Sequence, residues 1–208
     1  METQALKIAL LGAESTGKTS LARELAAHFE SLGRSAIAVP EALRDWCAAM
    51  GRTPRPEEQM GIAQEQERRV DDALARSEIV IADTTALMVA IYSAMLFEDG
   101  SLYRFALERQ RSYDRTLVTG LDLPWVADGL QRDGPHVRGP VDALVRESLS
   151  KAGITYRVVY GTGEERLVHA LAAIDPTGHP GRAPQRAWQW VCDKCSDPEC
   201  EHRLFTRL

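Results

Sequence analysis

The stretch that decides the fold is ALKIALLGAESTGKT, residues 5–19. Its first half is a continuous apolar run that ends at Gly12, as expected for a strand buried on both faces of a parallel sheet. Its second half, GAESTGKT, fits the pattern G-x-x-x-x-G-K-S/T and precedes a segment with helical spacing of apolar residues. The backbone N–H groups of such a loop converge on phosphate oxygens, and the helix adds the positive end of its dipole. The sequence therefore predicts a cradle for a nucleoside triphosphate; the alternative is a glycine-rich turn without a ligand.

The loop also supplies the side chains that ATP and Mg²⁺ require. Lys18 is expected to reach the β- and γ-phosphates, and the Thr19 hydroxyl to ligate Mg²⁺. Asp83 ends the apolar segment EIVIAD (78–83), where an acidic group that supports Mg²⁺ is expected; it is also suited to cap the helix that follows. The residues predicted to bind ATP in and beside the loop are Gly12, Glu14, Ser15, Thr16, Gly17, Lys18, Thr19 and Ser20.

Apolar runs alternate with helical segments through most of the chain. This alternation predicts an α/β fold in three layers, with a five-stranded parallel sheet covered by helices on both sides. The predicted strands are 5–12, 35–40, 78–83, 115–122 and 155–161.

One predicted helix is long and polar. The segment GIAQEQERRVDDALARS (61–77) has helical spacing, and its charges are interpreted as a solvated surface. The preceding GRTPRPEE (51–58) contains two prolines and is expected to interrupt the helical pattern.

Length and charge limit the domain count and the partners. A chain of 208 residues can bury one sizeable core, predicted at 1–174, with a Pro/Gly-rich linker and a tail at 175–208. The net charge of −5, from 25 basic and 30 acidic residues, disfavours nucleic acid and anionic membranes as partners. No apolar run approaches the roughly 18 residues of a membrane span. The N-terminus has no export signal, so a reducing cytoplasm is expected. Whether the chain forms homo-oligomers is left open.

The motifs that would mark several other classes of nucleotide-binding protein are absent from the sequence. A GTPase should carry an N-K-x-D guanine reader after its fourth strand, where this chain reads VTGLD (118–122), and the LSGGQ signature of ABC ATPases is absent. An AAA+ or helicase motor requires a longer chain. What remains is a compact P-loop domain with the segment DLPWVADGLQRDGPHVRGP (122–140), whose proline, glycine and arginine content is typical of the lid of a small-molecule kinase.

The acceptor side of such a kinase is predicted in PEALRDW (40–46), directly after the second strand. The carboxyl ends of parallel strands face the ligand crevice, so Glu41 and Arg44 should face it too. Glu41 can accept the proton of an attacking hydroxyl, and Arg44 can orient the acceptor. Asp83 is the competing candidate for the base, and an ordinary first-turn role for Glu41 is the alternative.

Further candidates are weaker signals. Arg132 and Arg138 lie where small kinases place arginines that close over the phosphoryl group in transit, although both also suit an ordinary surface. Asp128 is suited to position one of them. Thr162 and Gly163, in GTGEE (161–165), are expected beside the adenine.

Three aromatic side chains are candidates for stacking on a flat ring of the acceptor, or for ordinary core packing. They are Trp46, Tyr92 and Trp125.

The tail carries a cluster of thiols and one imidazole, with the spacing C-x₂-C-x₄-C-x-H. Four such ligands suit a closed tetrahedral Zn²⁺ site of structural type; a redox pair or thiols without a special role are the alternatives. The predicted zinc ligands are Cys192, Cys195, Cys200 and His202. The span 175–208 holds five acidic and five basic residues, which argues against a zinc knuckle that binds nucleic acid.

These motifs together resemble a known family. GAESTGKTSLARELA, PEALRDW, IADTT and above all LPWVADGLQRDG are similar to the ribosylnicotinamide-kinase domain of NadR-type proteins, an AAA-like small-molecule kinase of the P-loop superfamily. The resemblance covers roughly residues 5–174 and implies ATP-dependent phosphorylation of the 5′-hydroxyl of nicotinamide riboside. The family's bifunctional members carry an adenylyltransferase domain ahead of the kinase; only a few residues precede the first strand here, so only the kinase half is expected.

The resulting expectation is an enzyme, a cytoplasmic kinase that uses ATP and Mg²⁺ to phosphorylate nicotinamide riboside or a related nucleoside. The same machinery acting on another small hydroxyl substrate is the first alternative. The second is a nucleotide-sensing NTPase or adaptor whose zinc tail contacts a partner. Glu41, Arg44 and the lid arginines favour the kinase, because a sensor has no need of an acceptor site.

Overall fold

A computed structural model describes residues 5–126 and 134–175. Within them the chain forms one sheet of five parallel strands in the order β2-β3-β1-β4-β5, which confirms the predicted fold class. The strands are β1 Leu6–Leu11, β2 Ala36–Val39, β3 Ile79–Asp83, β4 Arg115–Thr119 and β5 Arg157–Val159.

Helices cover both faces of the sheet. They are α1 Lys18–Ser31, α2 Ala42–Met50, α3 Pro56–Leu74, α4 Ala86–Phe97, α5 Tyr103–Gln110, α6 Arg138–Lys151 and α7 Gly163–Ile174, with a 3₁₀ turn at Pro135–Val137 before α6.

The alternating side chains of β1 enter two separate apolar layers. Ile8 and Leu10 pack with residues of α1 and α7 on one face of the sheet. Leu11 packs with residues of α3, α4, α5 and α6 on the other face. Because β1 lies in the middle of the sheet, its carboxyl end is fixed from both sides, and the loop that follows it starts from a rigid base. The predicted three-layer arrangement is therefore present.

The boundary of α3 differs from the prediction. The helix begins at Pro56 and not near residue 61, since proline is well suited to the first helical position, where its missing N–H has no partner to lose. The carboxylate of Glu58 accepts a hydrogen bond from the backbone N–H of Arg55 at 2.7 Å and so closes the first turn.

The interpretation of the α3 charges as a solvated surface is wrong for one face. Glu67 is only 2 % exposed; it accepts hydrogen bonds from the N–H of Ala86 at 3.0 Å and from the hydroxyl of Tyr113 at 3.2 Å. It also pairs with Lys7 at 3.8 Å and Arg109 at 3.3 Å. Since α3 packs against both the sheet and α4, its polar residues on that side join the interior, and Glu67 holds the start of α4.

Two strands and the predicted lid are shorter than expected. β4 ends at Thr119, and β5 is confined to Arg157–Val159. The predicted lid is shortened at its far end, since α6 already begins at Arg138. Within the part of the chain that the structure describes, no helix is long and apolar enough to cross a bilayer.

Candidate active site

The loop between β1 and α1 is bent by residues with positive φ. Gly12 has φ 140°, and a side chain there would place its Cβ 2.2 Å from the hydroxyl oxygen of Thr119 on β4. Gly17 has φ 71° and immediately precedes α1. Ser15, at φ 53°, adopts the same left-handed region without being glycine. The two glycines of the motif are therefore needed for backbone conformation and close packing, as the pattern predicts.

Hydrogen bonds tie the loop to β4. The Thr16 hydroxyl lies 2.7 Å from the carbonyl of Ala13 and 2.7 Å from the hydroxyl of Thr119. Thr119 in turn lies 3.2 Å from the carbonyl of Leu11. All of these groups are buried, so contacts with the sheet fix the conformation of the loop.

A buried arginine that the sequence analysis did not identify supports the loop from the other side. Arg166 of α7 donates a hydrogen bond to the carbonyl of Thr16 at 2.5 Å, and its guanidinium lies against Gly17. Burial lowers the pKa of Arg166, while the carboxylates of Asp122 and Glu24 raise it; an arginine remains cationic in either case. Arg166 lies 150 positions from Thr16 in the sequence. No local pattern in the sequence could therefore have identified this contact.

The side chain of Lys18 curls over the loop. Its Nζ donates to the carbonyls of Gly12 at 2.9 Å and Ala13 at 2.7 Å. The ammonium group is thus held at the centre of the turn, where the phosphates of a nucleotide are bound in loops of this type.

Thr19 and Asp83 meet, although 64 positions separate them in sequence. The register of the sheet pairs Asp83 with Leu10, which places the carboxylate beside the start of the loop. Oδ2 of Asp83 accepts a hydrogen bond from the Thr19 hydroxyl at 2.5 Å. The alternative role of Asp83 as a helix cap is not seen, because Thr85 caps α4 by accepting from the N–H of Leu87.

The pair fits a magnesium ion. Asp83 is 2 % exposed, and its Oδ1 has no hydrogen-bond partner among the described residues. A buried carboxylate oxygen without a donor is costly, and hard oxygen ligands are those that Mg²⁺ prefers. The next residue, Thr84, is held at φ 74°, a strained conformation for a β-branched side chain and one that is common at functional sites.

The acceptor-side residues join the same cluster. Glu41 precedes α2, and its carboxylate pairs with Arg44 one turn later at 3.1 Å. Arg44 also donates to the Thr19 hydroxyl at 3.3 Å. A continuous chain of polar contacts therefore runs from Glu41 through Arg44 and Thr19 to Asp83, as expected from the position of these residues at the carboxyl ends of neighbouring strands.

A cleft of about 630 Å³ opens beside this cluster and reaches it at Thr19 and Arg44, whereas Glu41 and Asp83 are not among the residues that line it. Its walls are the loop with the start of α1, two arginines, and the segment after β4. The residues that line it are Ser15, Thr16, Gly17, Lys18, Thr19, Ser20, Arg23, Arg44, Leu123, Pro124 and Val126.

The beginning of the predicted lid is anchored to the loop. The Ser15 hydroxyl accepts from the N–H of Val126 at 2.8 Å and lies 3.2 Å from its carbonyl. Trp125 is partly buried, and its indole Nε1 has no hydrogen-bond partner among the described residues. Arg138, 8 % exposed at the start of α6, donates to the carbonyl of Leu121 at 3.4 Å and so contacts the residue immediately before the predicted lid.

The remaining candidates are more dispersed. Trp46 and Tyr92 pack against the core formed with α3 and α4, and the guanidinium of Arg52 lies 4.8 Å from the centre of the Trp46 ring. Thr162 precedes α7 and Gly163 is its first residue, so the expected adenine loop is short. Neither pair lines the cleft.

Several predicted residues lie outside the described part of the chain. Asp128 and Arg132 belong to 127–133, and the zinc ligands Cys192, Cys195, Cys200 and His202 belong to 176–208. Within the described ranges no group of three or more His, Cys, Asp or Glu side chains is arranged to hold a metal, and Cys47 is a buried free thiol. The zinc site stays a prediction.

The sheet order, the loop and its lysine define a P-loop nucleotide-binding protein. Residues 7–166 match the family model described as AAA domain, and the chain belongs to this family. This match does not conflict with the argument that the chain is too short for an AAA+ motor, because the family model covers one compact domain of 160 residues (7–166). A search of the curated proteins found no match.

Two solved structures share the fold. One is described as NadR protein in complex with NR; the TM-score is 0.70 at 19% identity, over 85% of this chain and 52% of that chain. The other is NadR protein in complex with NAD and AMP-PNP, with a TM-score of 0.65 at 19% identity, over 82% of this chain and 49% of that chain. The expected resemblance to NadR-type proteins is confirmed at the level of the fold. The chain spans about half the length of these structures.

Proposed function

We propose that this protein is an ATP-dependent kinase that phosphorylates the 5′-hydroxyl of nicotinamide riboside or a closely related nucleoside. The observation that carries the proposal is the chain of contacts from Glu41 through Arg44 and Thr19 to Asp83. It connects a carboxylate suited to an acceptor with the residues suited to a metal–nucleotide complex. A nucleotide sensor would need only the second half of this arrangement.

The geometry supports the following roles. Lys18 and the amides of the loop bind the phosphates, while Thr19 and Asp83 would hold Mg²⁺, which neutralises charge on the β- and γ-phosphates when bound. Arg166 and Thr119 keep the loop in its binding conformation from behind.

We assign the base to Glu41 and the metal site to Asp83. The Asp83 carboxylate accepts the hydrogen bond of the Thr19 hydroxyl, the expected Mg²⁺ ligand, and this supports its assignment to the metal. Glu41 is held by Arg44 at the start of α2, on the acceptor side. In the transfer step the 5′-oxygen forms a bond to the γ-phosphorus, the bond from that phosphorus to the bridging oxygen breaks, ADP leaves, and Glu41 takes the hydroxyl proton.

Nicotinamide riboside is the favoured acceptor for two reasons. The motifs resemble the ribosylnicotinamide-kinase domain, and the two structures with the same fold are described in complex with NR, and with NAD and AMP-PNP.

The lid arginines Arg132 and Arg138 remain the proposed stabilisers of the transferring group, with Asp128 positioning one of them. Structural zinc in the tail and a cytoplasmic location stay predictions.

The test is a transfer assay with γ-labelled ATP and a panel of nucleosides that includes nicotinamide riboside. We expect label in nicotinamide mononucleotide, and a loss of about 10²–10⁴-fold in kcat for Glu41→Gln, because general base catalysis contributes that much. Glu57→Gln, an exposed glutamate of α3, is the matched control and should retain full activity. Slow release of phosphate with no labelled nucleoside would favour the sensor instead.

A further inference from the structure

One arginine of the cleft wall belongs neither to the phosphate loop nor to the acceptor-side residues. Arg23 is an exposed residue of α1, and it lines the cleft together with Lys18 and Arg44. Among the described residues that line the cleft, these are the three with charged side chains, and all three are cations. The wall of the cleft is therefore positive, although the whole chain carries a net charge of −5.

The other two cations of the cleft are already engaged. Lys18 donates to two carbonyls of the loop, and Arg44 pairs with Glu41 at 3.1 Å. The side chain of Arg23, in contrast, forms no hydrogen bond or ion pair with another residue of the described ranges. An arginine stays protonated at any ordinary pH, so Arg23 offers the cleft a charged guanidinium with its planar fork of donors free for a ligand.

The position of Arg23 on α1 directs it to the phosphate end of the cleft. Arg23 follows Thr19 by four residues and Ser20 by three, a spacing that places the three side chains on one face of the helix. Thr19 and Ser20 also line the cleft. Because helical side chains lean toward the N-terminus of their helix, the stem of Arg23 is expected to cover the first turn of α1, where phosphates are bound in loops of this type.

The chemistry of the cleft favours a phosphate as the partner of Arg23. A guanidinium binds phosphate through two parallel hydrogen bonds, and such bonds are stronger than those between neutral groups. The acceptor that we favour, nicotinamide riboside, carries no anionic group. ATP is therefore the ligand that brings negative charge into this cleft.

We propose that Arg23 is a further nucleotide-binding residue, whose guanidinium donates to a phosphate of ATP from outside the loop motif. The inference rests on the proposed function, because it takes ATP as the phosphoryl donor. It involves no chemical step, since Arg23 contributes binding alone.

The first measurement is calorimetric titration of the full chain with AMP-PNP and Mg²⁺. We expect about tenfold weaker binding for Arg23→Met, because a charge-assisted contact is lost. Arg23→Lys should bind with intermediate affinity, since lysine keeps the charge and loses the planar fork. Arg104→Met is the matched control: Arg104 is an exposed arginine of α5 that does not line the cleft, and its variant should bind as the wild type does. Equal affinity of Arg23→Met and the wild type would overturn the inference.

Salt and urea separate a direct contact from a disturbed fold. The screening length falls from about 10 Å at 0.1 M salt to about 3 Å at 1 M, so the difference in affinity between the wild type and Arg23→Met should shrink at high salt. Both proteins should unfold at the same urea concentration, because Arg23 is exposed and pairs with no residue of the described ranges. A loss of affinity that is equal at both salt concentrations and accompanied by easier unfolding would overturn the proposed contact.

Steady-state kinetics distinguish the nucleotide from the acceptor as the partner. Arg23→Met should raise the KM for ATP about tenfold and leave the KM for nicotinamide riboside unchanged. The reverse pattern would overturn the inference and assign Arg23 to the acceptor. Transfer with wild-type kinetics in Arg23→Met would overturn the role of Arg23 alone, whereas a wild-type protein that binds no AMP-PNP would overturn the proposed function as well.

Discussion

The substitution Asp83→Asn tests how the magnesium ion is bound. In the structure Oδ2 of Asp83 accepts the Thr19 hydrogen bond, and Oδ1 is a buried acceptor without a partner among the described residues. Asparagine has nearly the same shape and keeps one oxygen for Thr19. Its second terminal atom, however, becomes an NH₂ group, which repels a cation where the carboxylate attracts it.

The same geometry gives the expected changes in stability and in nucleotide affinity for Asp83→Asn. A hydrogen bond to a charged group contributes about 1.5–3 kcal/mol and a neutral one about 0.5–1.5 kcal/mol, so the Thr19 contact weakens by about 1 kcal/mol. Removal of a buried charge offsets this loss. We therefore expect the free energy of unfolding without Mg²⁺ to change by less than about 1 kcal/mol. Loss of the carboxylate should weaken the Mg²⁺-dependent part of nucleotide binding about 10- to 100-fold.

Two titrations measure these quantities. Urea unfolding in EDTA gives the stability, and calorimetric titration with AMP-PNP, with Mg²⁺ and with EDTA, gives the contribution of the metal. Asp72→Asn, an exposed residue of α3, is the control and should behave as wild type. If Asp83→Asn kept the full gain in AMP-PNP affinity on adding Mg²⁺, the assignment of Asp83 to the metal would be refuted.

Three further substitutions test the framework of the loop and the buried polar face of α3. Gly12→Ala should abolish AMP-PNP binding and destabilise the fold by more than about 1 kcal/mol, because φ 140° disfavours a side chain and its Cβ would meet the Thr119 hydroxyl at 2.2 Å; a variant that binds normally by calorimetry would contradict this. Arg166→Met removes the donor to the Thr16 carbonyl and should weaken AMP-PNP binding about tenfold; unchanged affinity would show that the contact is dispensable. Glu67→Ala removes a buried partner of Lys7 and Arg109, which both keep Asp71, and takes the acceptor from the Ala86 N–H and the Tyr113 hydroxyl; it should cost about 2–5 kcal/mol in urea unfolding, whereas a cost below about 1 kcal/mol would mean that solvent reaches the network.

The phosphate loop could be predicted because its information is local. Gly12, Gly17, Lys18 and Thr19 act within eight positions, and the strand and helix around them are visible in the pattern of apolar residues. The fold class followed from the alternation of strands and helices. The strand order did not, since it depends on which strands pair across long separations.

The residues that the sequence analysis missed act at a distance. Glu67 lies in a segment that reads as a solvated helix, and only the packing of α3 against α4 shows which of its polar side chains are buried. Arg166 is one arginine among many until α7 places it against the loop. From the sequence, Asp83 could be a helix cap or a metal ligand. The structure shows that Thr85, and not Asp83, caps α4, and the role of Asp83 as a metal ligand stays a prediction.

The central claim is that a triphosphate binds in the loop after β1. Calorimetric titration of the purified protein with Mg²⁺ and AMP-PNP tests it most directly, with Lys18→Met as the comparison. We predict one nucleotide per chain for the wild type and at least tenfold weaker binding for the variant, because the Lys18 ammonium lies at the centre of the turn. No detectable heat with the wild type, or equal affinity in the two proteins, would contradict the account.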